Sequence, residues 1–198
     1  MNNEQWSSGN PFEHFQRLYS EALEKESFDA TRAALATVDP EGQPAVRFVL
    51  VRGMDSRGFV FYTDYRSRKA SHLRENPKAA LAWHWASIGV QVRVEGGVEI
   101  ADAELANQYF LGRGRGSQLG AWASVQSSPL ESRDQLQQQC ELVEARFEDK
   151  VITRPPHWGG YRISPHRVEF WFDRDDRLHD RFDYVKDGAT WSVSRLSP

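Results

Sequence analysis

The chain has 198 residues, with 25 Lys and Arg against 28 Asp and Glu for a formal net charge of −3, and is 39% hydrophobic and 12% aromatic, enough apolar material for one domain with a real core. A single cysteine, Cys140, excludes a disulfide framework, and the sequence holds neither a long apolar run nor a basic, then apolar, leader; one cytoplasmic domain over residues 1–198, with no membrane partner and with residues 1–10 disordered, is the expectation. The slightly acidic balance and the lack of a lysine-rich face argue against nucleic acid, while the dominance of arginine over five lysines points to recognition of small anions.

From Asn10-Pro11 to about Glu26, the apolar residues Phe12, Phe15, Leu18, Tyr19, Ala22 and Leu23 recur at steps of three and four, which predicts an amphipathic helix. Ala33–Val38, the turn Asp39-Pro-Glu-Gly42 and Pro44–Arg52 predict a hairpin whose second strand is apolar on both faces. Alternation sets Arg47 with Val49 and Val51, and Arg52 with Phe48 and Leu50, each cation in want of an anion or a carboxylate. A turn over 54–58 and the strand Phe59–Thr63 lead into a short helix with Ser67 at its N-cap and Asn76-Pro77 as its stop. Arg68 and Lys69 then stand in the first turn, where the helix field is already positive. Either a bound phosphate compensates them, or they are incidental charges on a surface helix.

Ala79–Trp85 and Gly89–Ile100 predict a strand pair, with Gly96-Gly97 as a bulge and Gln91 turned away from Val90, Val92 and Val94. Asp102 caps a helix to about Leu111, which runs into Arg113-Gly-Arg-Gly-Ser-Gln-Leu-Gly-Ala-Trp-Ala-Ser-Val-Gln126-Ser127. That composition suits neither helix nor strand. Gly112, Gly114 and Gly116 are expected to take positive φ and bring the backbone to a ligand held by Arg113 and Arg115, with Trp122 lining the pocket; a solvated glycine-arginine loop is the alternative. A helix precedes the glycines where a dinucleotide fingerprint needs a strand, which excludes a Rossmann site.

Pro129 to about Phe147 reads as a helix facing inward through Leu136, Cys140, Val143 and Phe147, making Cys140 a core residue and not a nucleophile. Pro155–Ile163, Arg167–Phe172 and Thr190–Val193 predict strands. Between the last two, Arg177, His179 and Arg181 share one face if the chain is extended, around a ligand or on a charged edge strand. Six or more short strands with helices between hairpins predict a mainly β fold, a closed or nearly closed antiparallel barrel with flanking helices.

Eight blocks carry a family resemblance: Arg47-Phe-Val-Leu-Val-Arg52, Phe61-Tyr-Thr-Asp-Tyr65, Ser67-Arg-Lys69, Gln91-Val-Arg-Val-Glu-Gly96, the stretch from Arg113 to Ser124, Arg154-Pro-Pro-His-Trp-Gly-Gly-Tyr161, Val168-Glu-Phe-Trp171 and Arg177-Leu-His-Asp-Arg181. In this order they resemble the pyridoxamine 5′-phosphate oxidase family, FMN enzymes that make pyridoxal phosphate, from about Pro11 to Pro198. The resemblance implies an FMN-binding split β-barrel of antiparallel, Greek-key type, and a homodimer with two FMN sites at the subunit interface. It assigns Arg47, Arg52, Tyr62, Thr63, Arg68, Lys69, Gln91, Gln126, Ser127, Trp171 and Arg181 to FMN. Arg52, Tyr109, Arg113, Ser117, Arg177 and His179 fall to the substrate, with Arg177 and His179 as the catalytic pair holding the pyridine ring against the flavin.

The implied reaction takes hydride from the substrate C4′ carbon to flavin N5 and returns the electrons to O2 as hydrogen peroxide, turning pyridoxamine or pyridoxine 5′-phosphate into pyridoxal 5′-phosphate without a metal. The chain departs from the family pattern in having Arg52 for a usual lysine and Val90 for a usual arginine, and in lacking an N-terminal Arg/Tyr segment that helps cover the substrate. A same-fold oxidase of a secondary-metabolite ring, of the phenazine type, is one alternative. A non-catalytic carrier of FMN or pyridoxal phosphate is the other.

Overall fold

Eight antiparallel strands, several with alternating burial and β3 and β6 buried over most of their length, build the fold in the computed structural model, which describes Trp6 and residues 9–198. The strands are β1 (Arg32–Val38), β2 (Pro44–Asp55), β3 (Gly58–Asp64), β4 (Lys78–Trp85), β5 (Val90–Ile100), β6 (Trp158–Phe172), β7 (Asp180–Asp187) and β8 (Thr190–Leu196), in the sheet order β3-β2-β1-β4-β5-β6-β7-β8. A further β3–β6 pairing closes the first six into a barrel and leaves β7 and β8 as an extension. Closure depends on a long, bent β6: residues 158–163 pair with β3 and 167–172 with β7, while β5 follows both halves.

The bend sits where Gly96 opposes Pro165 at a register shift. A Cβ on Gly96 would lie 2.4 Å from the Ser164 carbonyl oxygen, so only glycine admits that approach. The two strands expected over 155–163 and 167–172 are therefore one. Pro165, which has no N–H to donate, is tolerated because it sits at the bulge.

Inside the barrel, Leu35, Phe59, Phe61, Trp83, Trp85 and Phe170 form the main core, plugged by Phe15, Leu18 and Ala22 of helix α1 (Pro11–Lys25). Asn10 accepts from the Phe12 N–H and Pro11 opens the helix, so both N-terminal signals act as expected. Of the stretch expected to be disordered, residues 1–5, 7 and 8 lie outside the described residues. Trp6 is buried, its ring 4.6 Å from that of Phe172 and its carbonyl accepting from the Tyr184 hydroxyl at 2.7 Å.

A second, smaller core of Phe110, Leu119, Phe147, Ile152 and Trp158 lies beneath α3 (Ala103–Leu111), α4 (Arg115–Ala123) and α5 (Arg133–Arg146). The stretch after Arg113 is thus a helix and not a loop. Gly112 and Gly114 have φ of −74° and −56°, and Gly116 is also without positive φ. Leu119 and Ala123 bury one stripe, Gln118 donates to the carbonyls of Phe110 and Leu111, and Arg115 to those of Phe147 and Lys150. These bonds give Arg115 a structural task at the end of α5. Trp122 packs against the second core, its Nε1 donating to the Thr153 carbonyl at 2.8 Å, and is not among the residues lining the cleft between β2, β3 and the helices. Helix α5 buries none of its residues, and Cys140 is half-buried and not part of a core. Among the described residues, no helix is long and apolar enough to cross a membrane.

Candidate functional site

A cleft of about 290 Å³ opens between β2, β3 and the helices, lined by Phe48, Leu50, Arg52, Tyr62, Thr63, Lys69, Tyr109, Arg113, Gln126 and Trp158. One end is cationic. Helix α2 (Arg68–Glu75) begins after Ser67, whose side chain makes no capping bond but receives one from Lys69 Nζ at 3.3 Å. Lys69, 9% exposed, also donates to Thr63 Oγ1 at 3.1 Å and Gln126 Oε1 at 2.8 Å. Burial, reinforced by the Arg47 charge and opposed by Asp64, holds its ammonium at a pKa of about 8.

Arg47 is likewise lowered, by burial and then by Arg68. None of the ion pairs among the described residues involves Arg47, Arg68 or Lys69. The carboxylate expected for Arg47 is absent, and Nη1 donates instead to Leu35 O, Thr37 Oγ1 and Ala45 O. Three cations crowd a helix N-terminus, Arg47 and Lys69 hydrogen-bonded only to neutral groups and Arg68 exposed, an arrangement that suits a phosphate dianion.

The other end is aromatic. The Tyr62 ring lies parallel to Tyr109 at 4.2 Å and to Trp158 at 5.5 Å, and the Arg113 guanidinium sits 4.9 Å from the Trp158 ring. Arg113 Nη1 is buried without a hydrogen-bond partner, and burial lowers its pKa. A flat wall beside an unpartnered guanidinium suits a planar ring that carries an anionic group. Arg52 occupies a β-bulge between Val51 and Gly53, which aims it at Asp29, the carboxylate expected of it, at 2.8 Å. Asp29 is fixed in turn by Thr31, whose N–H and hydroxyl both donate to it.

The remaining expected residues stand elsewhere. Ser117 is exposed in the first turn of α4, and Ser127 follows Gln126 with a left-handed φ of 71°; neither lines the cleft. Gln91, Trp171 and Arg181 form a row across β5, β6 and β7. Arg181 pairs with the buried Glu169 at 2.9 Å, an acid that also holds Arg93, and His179 lies 4.4 Å from the Trp171 ring. Trp171 is eight residues past Ile163, the last β6 residue on β3, roughly 26 Å further along the strand.

Arg177 does not share an extended face with His179 and Arg181, because Asp175–Arg177 is a 3-10 turn with Asp176 and Arg177 at φ of 54° and 62°. The chain reverses there before β7 begins. The protomer therefore divides the expected site into a cleft and a separate sheet face. Sequence reading missed the part played by Trp158 in the stacked wall, and Asp29 and Glu169 as the partners of two site arginines. It also took β2 as buried on both faces, whereas Val46, Phe48 and Leu50 are 70, 71 and 39% exposed; an apolar run is common to core and contact surface, and only the fold separates them.

Comparison with known proteins places these residues among relatives. Residues 20–147 match the family model described as pyridoxamine 5′-phosphate oxidase, and residues 158–198 that of the pyridoxine 5′-phosphate oxidase C-terminal dimerisation region. A Rubrobacter xylanophilus protein named pyridoxine/pyridoxamine 5′-phosphate oxidase is 47% identical over 188 residues, 95% of this chain and 87% of that one. A Cyanothece protein of the same name is 46% identical over 189 residues, 96% and 89% of the two chains. The structure of PhzG from Burkholderia lata in complex with tetrahydrophenazine-1-carboxylic acid is similar with a TM-score of 0.92 at 28% identity, covering 100% of this chain and 97% of that chain. A pyridoxamine 5′-phosphate oxidase-related, FMN-binding protein from Nostoc punctiforme has a TM-score of 0.75 at 20% identity, covering 96% and 100%, a likeness of fold.

Proposed function

The chain belongs to the pyridoxamine 5′-phosphate oxidase family, and on that premise we propose that it is an FMN-dependent oxidase turning pyridoxamine or pyridoxine 5′-phosphate into pyridoxal 5′-phosphate. The observation that carries the reading is the pair of uncompensated cationic ends flanking one aromatic wall: Arg47, Arg68 and Lys69 at one, Arg113 at the other. Two phosphorylated planar molecules, cofactor and substrate, match that arrangement. Bound FMN would supply a two-electron acceptor that O2 reoxidises with release of hydrogen peroxide, and the amine substrate would in addition take up water and release ammonia.

The chain's own residues bind and orient. Lys69, Arg47 and Arg68 neutralise the FMN phosphate, and the dianion favours the charged form of Lys69 that burial disfavours. Thr63, Gln126, Ser127 and Tyr62 surround the rest of the cofactor, with Arg52 at the edge next to the substrate. Tyr109, Arg113 and Ser117 hold the substrate phosphate, and Arg177 and His179 orient the ring so that C4′ meets the acceptor. Gln91, Trp171, Arg181, Arg177 and His179 reach the cleft from a second copy of the chain. The exposed Val46, Phe48 and Leu50 stripe supports this homodimer, as does the match of residues 158–198 to a dimerisation region.

Anaerobic addition of pyridoxamine 5′-phosphate should bleach the bound flavin, and admission of O2 should restore it with one pyridoxal 5′-phosphate formed per cycle. Flavin that stays oxidised at saturating substrate would overturn the reading, whichever of the amine and alcohol phosphates is supplied. The likeness to PhzG favours a second reading, oxidation of a reduced phenazine carboxylate, and the same assay with that substrate separates the two.

A further inference from the structure

His72 is a buried titratable group to which the proposed chemistry gives no task. It lies on the inward side of α2, 4% exposed, with Nδ1 3.1 Å from the hydroxyl oxygen of Thr37, a β1 residue only 1% exposed. That same oxygen is 2.7 Å from Arg47 Nη1 on β2. Three elements thus meet through one hydroxyl behind the cation cluster.

The hydrogen-bond chemistry orders the chain. A guanidinium nitrogen only donates, so Thr37 Oγ1 accepts from Arg47 and keeps one proton to give. The contact of that hydroxyl with His72 Nδ1 at 3.1 Å, whichever of the two atoms donates, ties the threonine side chain to α2 while it accepts from Arg47. Arg47 Nη1 is further tied to Leu35 O at 3.2 Å and Ala45 O at 3.1 Å, while Nε and Nη2 make no hydrogen bond among the described residues.

We propose that His72 is a positioning residue for the flavin phosphate: through the Thr37 hydroxyl it anchors one nitrogen of Arg47 and leaves the other edge of that guanidinium set for the anion beside Arg68 and Lys69. The inference rests on the FMN reading above. It differs from a packing role in one respect. Loosening α2 would displace Arg68 and Lys69 and weaken FMN whether or not Arg47 is present, whereas releasing Arg47 costs nothing further once Arg47 is replaced. Thr37→Val and His72→Leu should therefore each leave the FMN affinity of Arg47→Met within about twofold, and a further loss in that background would overturn the proposal.

The test measures dissociation constants of FMN and riboflavin for the ligand-free full chain at fixed salt and pH 7. Thr37→Val and His72→Leu should each weaken FMN about three- to tenfold and leave riboflavin within about twofold. His72→Asn, which keeps a group able to hydrogen-bond the Thr37 hydroxyl in either direction, and Thr37→Ser should stay within about twofold for both ligands, and the double variant should be no weaker than the worse single one. Equal weakening of FMN and riboflavin, or unchanged FMN affinity, in Thr37→Val would overturn the proposal. That near-isosteric variant decides the matter even where His72→Leu does not fold. A native chain that does not prefer FMN to riboflavin would overturn the FMN reading and this inference with it, whereas a native preference kept intact by every variant overturns the inference alone.

Discussion

The cleft and the β5–β6–β7 face are furnished with the same residue types, arginine and large aromatics, under opposite electrostatic conditions. On the face, Arg181 and Arg93 share Glu169, whose carboxyl is held below the usual carboxylate range by those two partners against the effect of burial, and Arg167 pairs with Asp183. At the cleft and the α2 end beside it, Arg47, Arg68, Lys69 and Arg113 make no ion pair with a carboxylate among the described residues. A paired arginine is already spent on holding the sheet in shape, while an unpaired one keeps its charge for a ligand. On the proposed reading the cleft would provide affinity and the face a preset surface. Arg177 is the exception among the arginines of the face, exposed on a left-handed turn and in none of the ion pairs among the described residues.

Severing the two regions should have the largest effect. Phe48→Asp in the exposed β2 stripe is expected to give a monomer in sedimentation and to lower turnover at least about a hundredfold, because a buried unpaired charge opposes association. A fully active monomer would show that the cleft needs no second face. Next, Lys69→Met should weaken FMN about 10- to 100-fold with riboflavin unchanged, the range expected for a hydrogen bond to a charged group; a parallel loss of riboflavin would move the phosphate elsewhere. Arg177→Ala should lower kcat/KM about tenfold or more while FMN affinity stays within about threefold, and flavin loss equal to that of Lys69→Met would erase the distinction between the regions.

The smallest effect is one of pH. Lys69 stands at about 8 in the fold against an ordinary 10.5. Between those values the unfolded chain binds more protons, so this group's contribution to the stability of the ligand-free protein rises with pH and is unfavourable below about 8. Bound phosphate reverses the preference. FMN affinity should therefore fall as pH rises above about 8, by up to tenfold per unit, while riboflavin titrated from pH 7 to 9.5 stays level; identical profiles would contradict the placement of Lys69 against the phosphate.

The local elements were readable because their causes are local. Asn10-Pro11 starts α1, Asp102 caps α3 by accepting from Glu104 and Leu105, alternation marks β2 and β5, and a short apolar run between turns marks β3. Helix α4 was not, since Arg115, Gln118 and Trp122 are satisfied by carbonyls of other elements and the glycines between them carry no helical signal. The unity of β6 depends on Gly96 opposing Pro165, and the order of Trp6 on an aromatic pocket more than 160 positions away. The resemblance named one set of site residues. Their division into two clusters was hidden, because alternation tells which face a side chain takes and not what that face meets.

Hybrid dimers test the central claim, that one site joins the cleft of one copy to the sheet face of another. One chain would carry Lys69→Met with Arg113→Met, the other Arg177→Ala with Arg181→Ala, and the hybrid would be isolated by two different tags. If the site is shared, each parent dimer is nearly inactive, while the hybrid contains one wholly native site and forms pyridoxal 5′-phosphate at about half the native rate per dimer. A hybrid no more active than the mean of its parents would show that cleft and face of a single chain make the site, and would contradict the account.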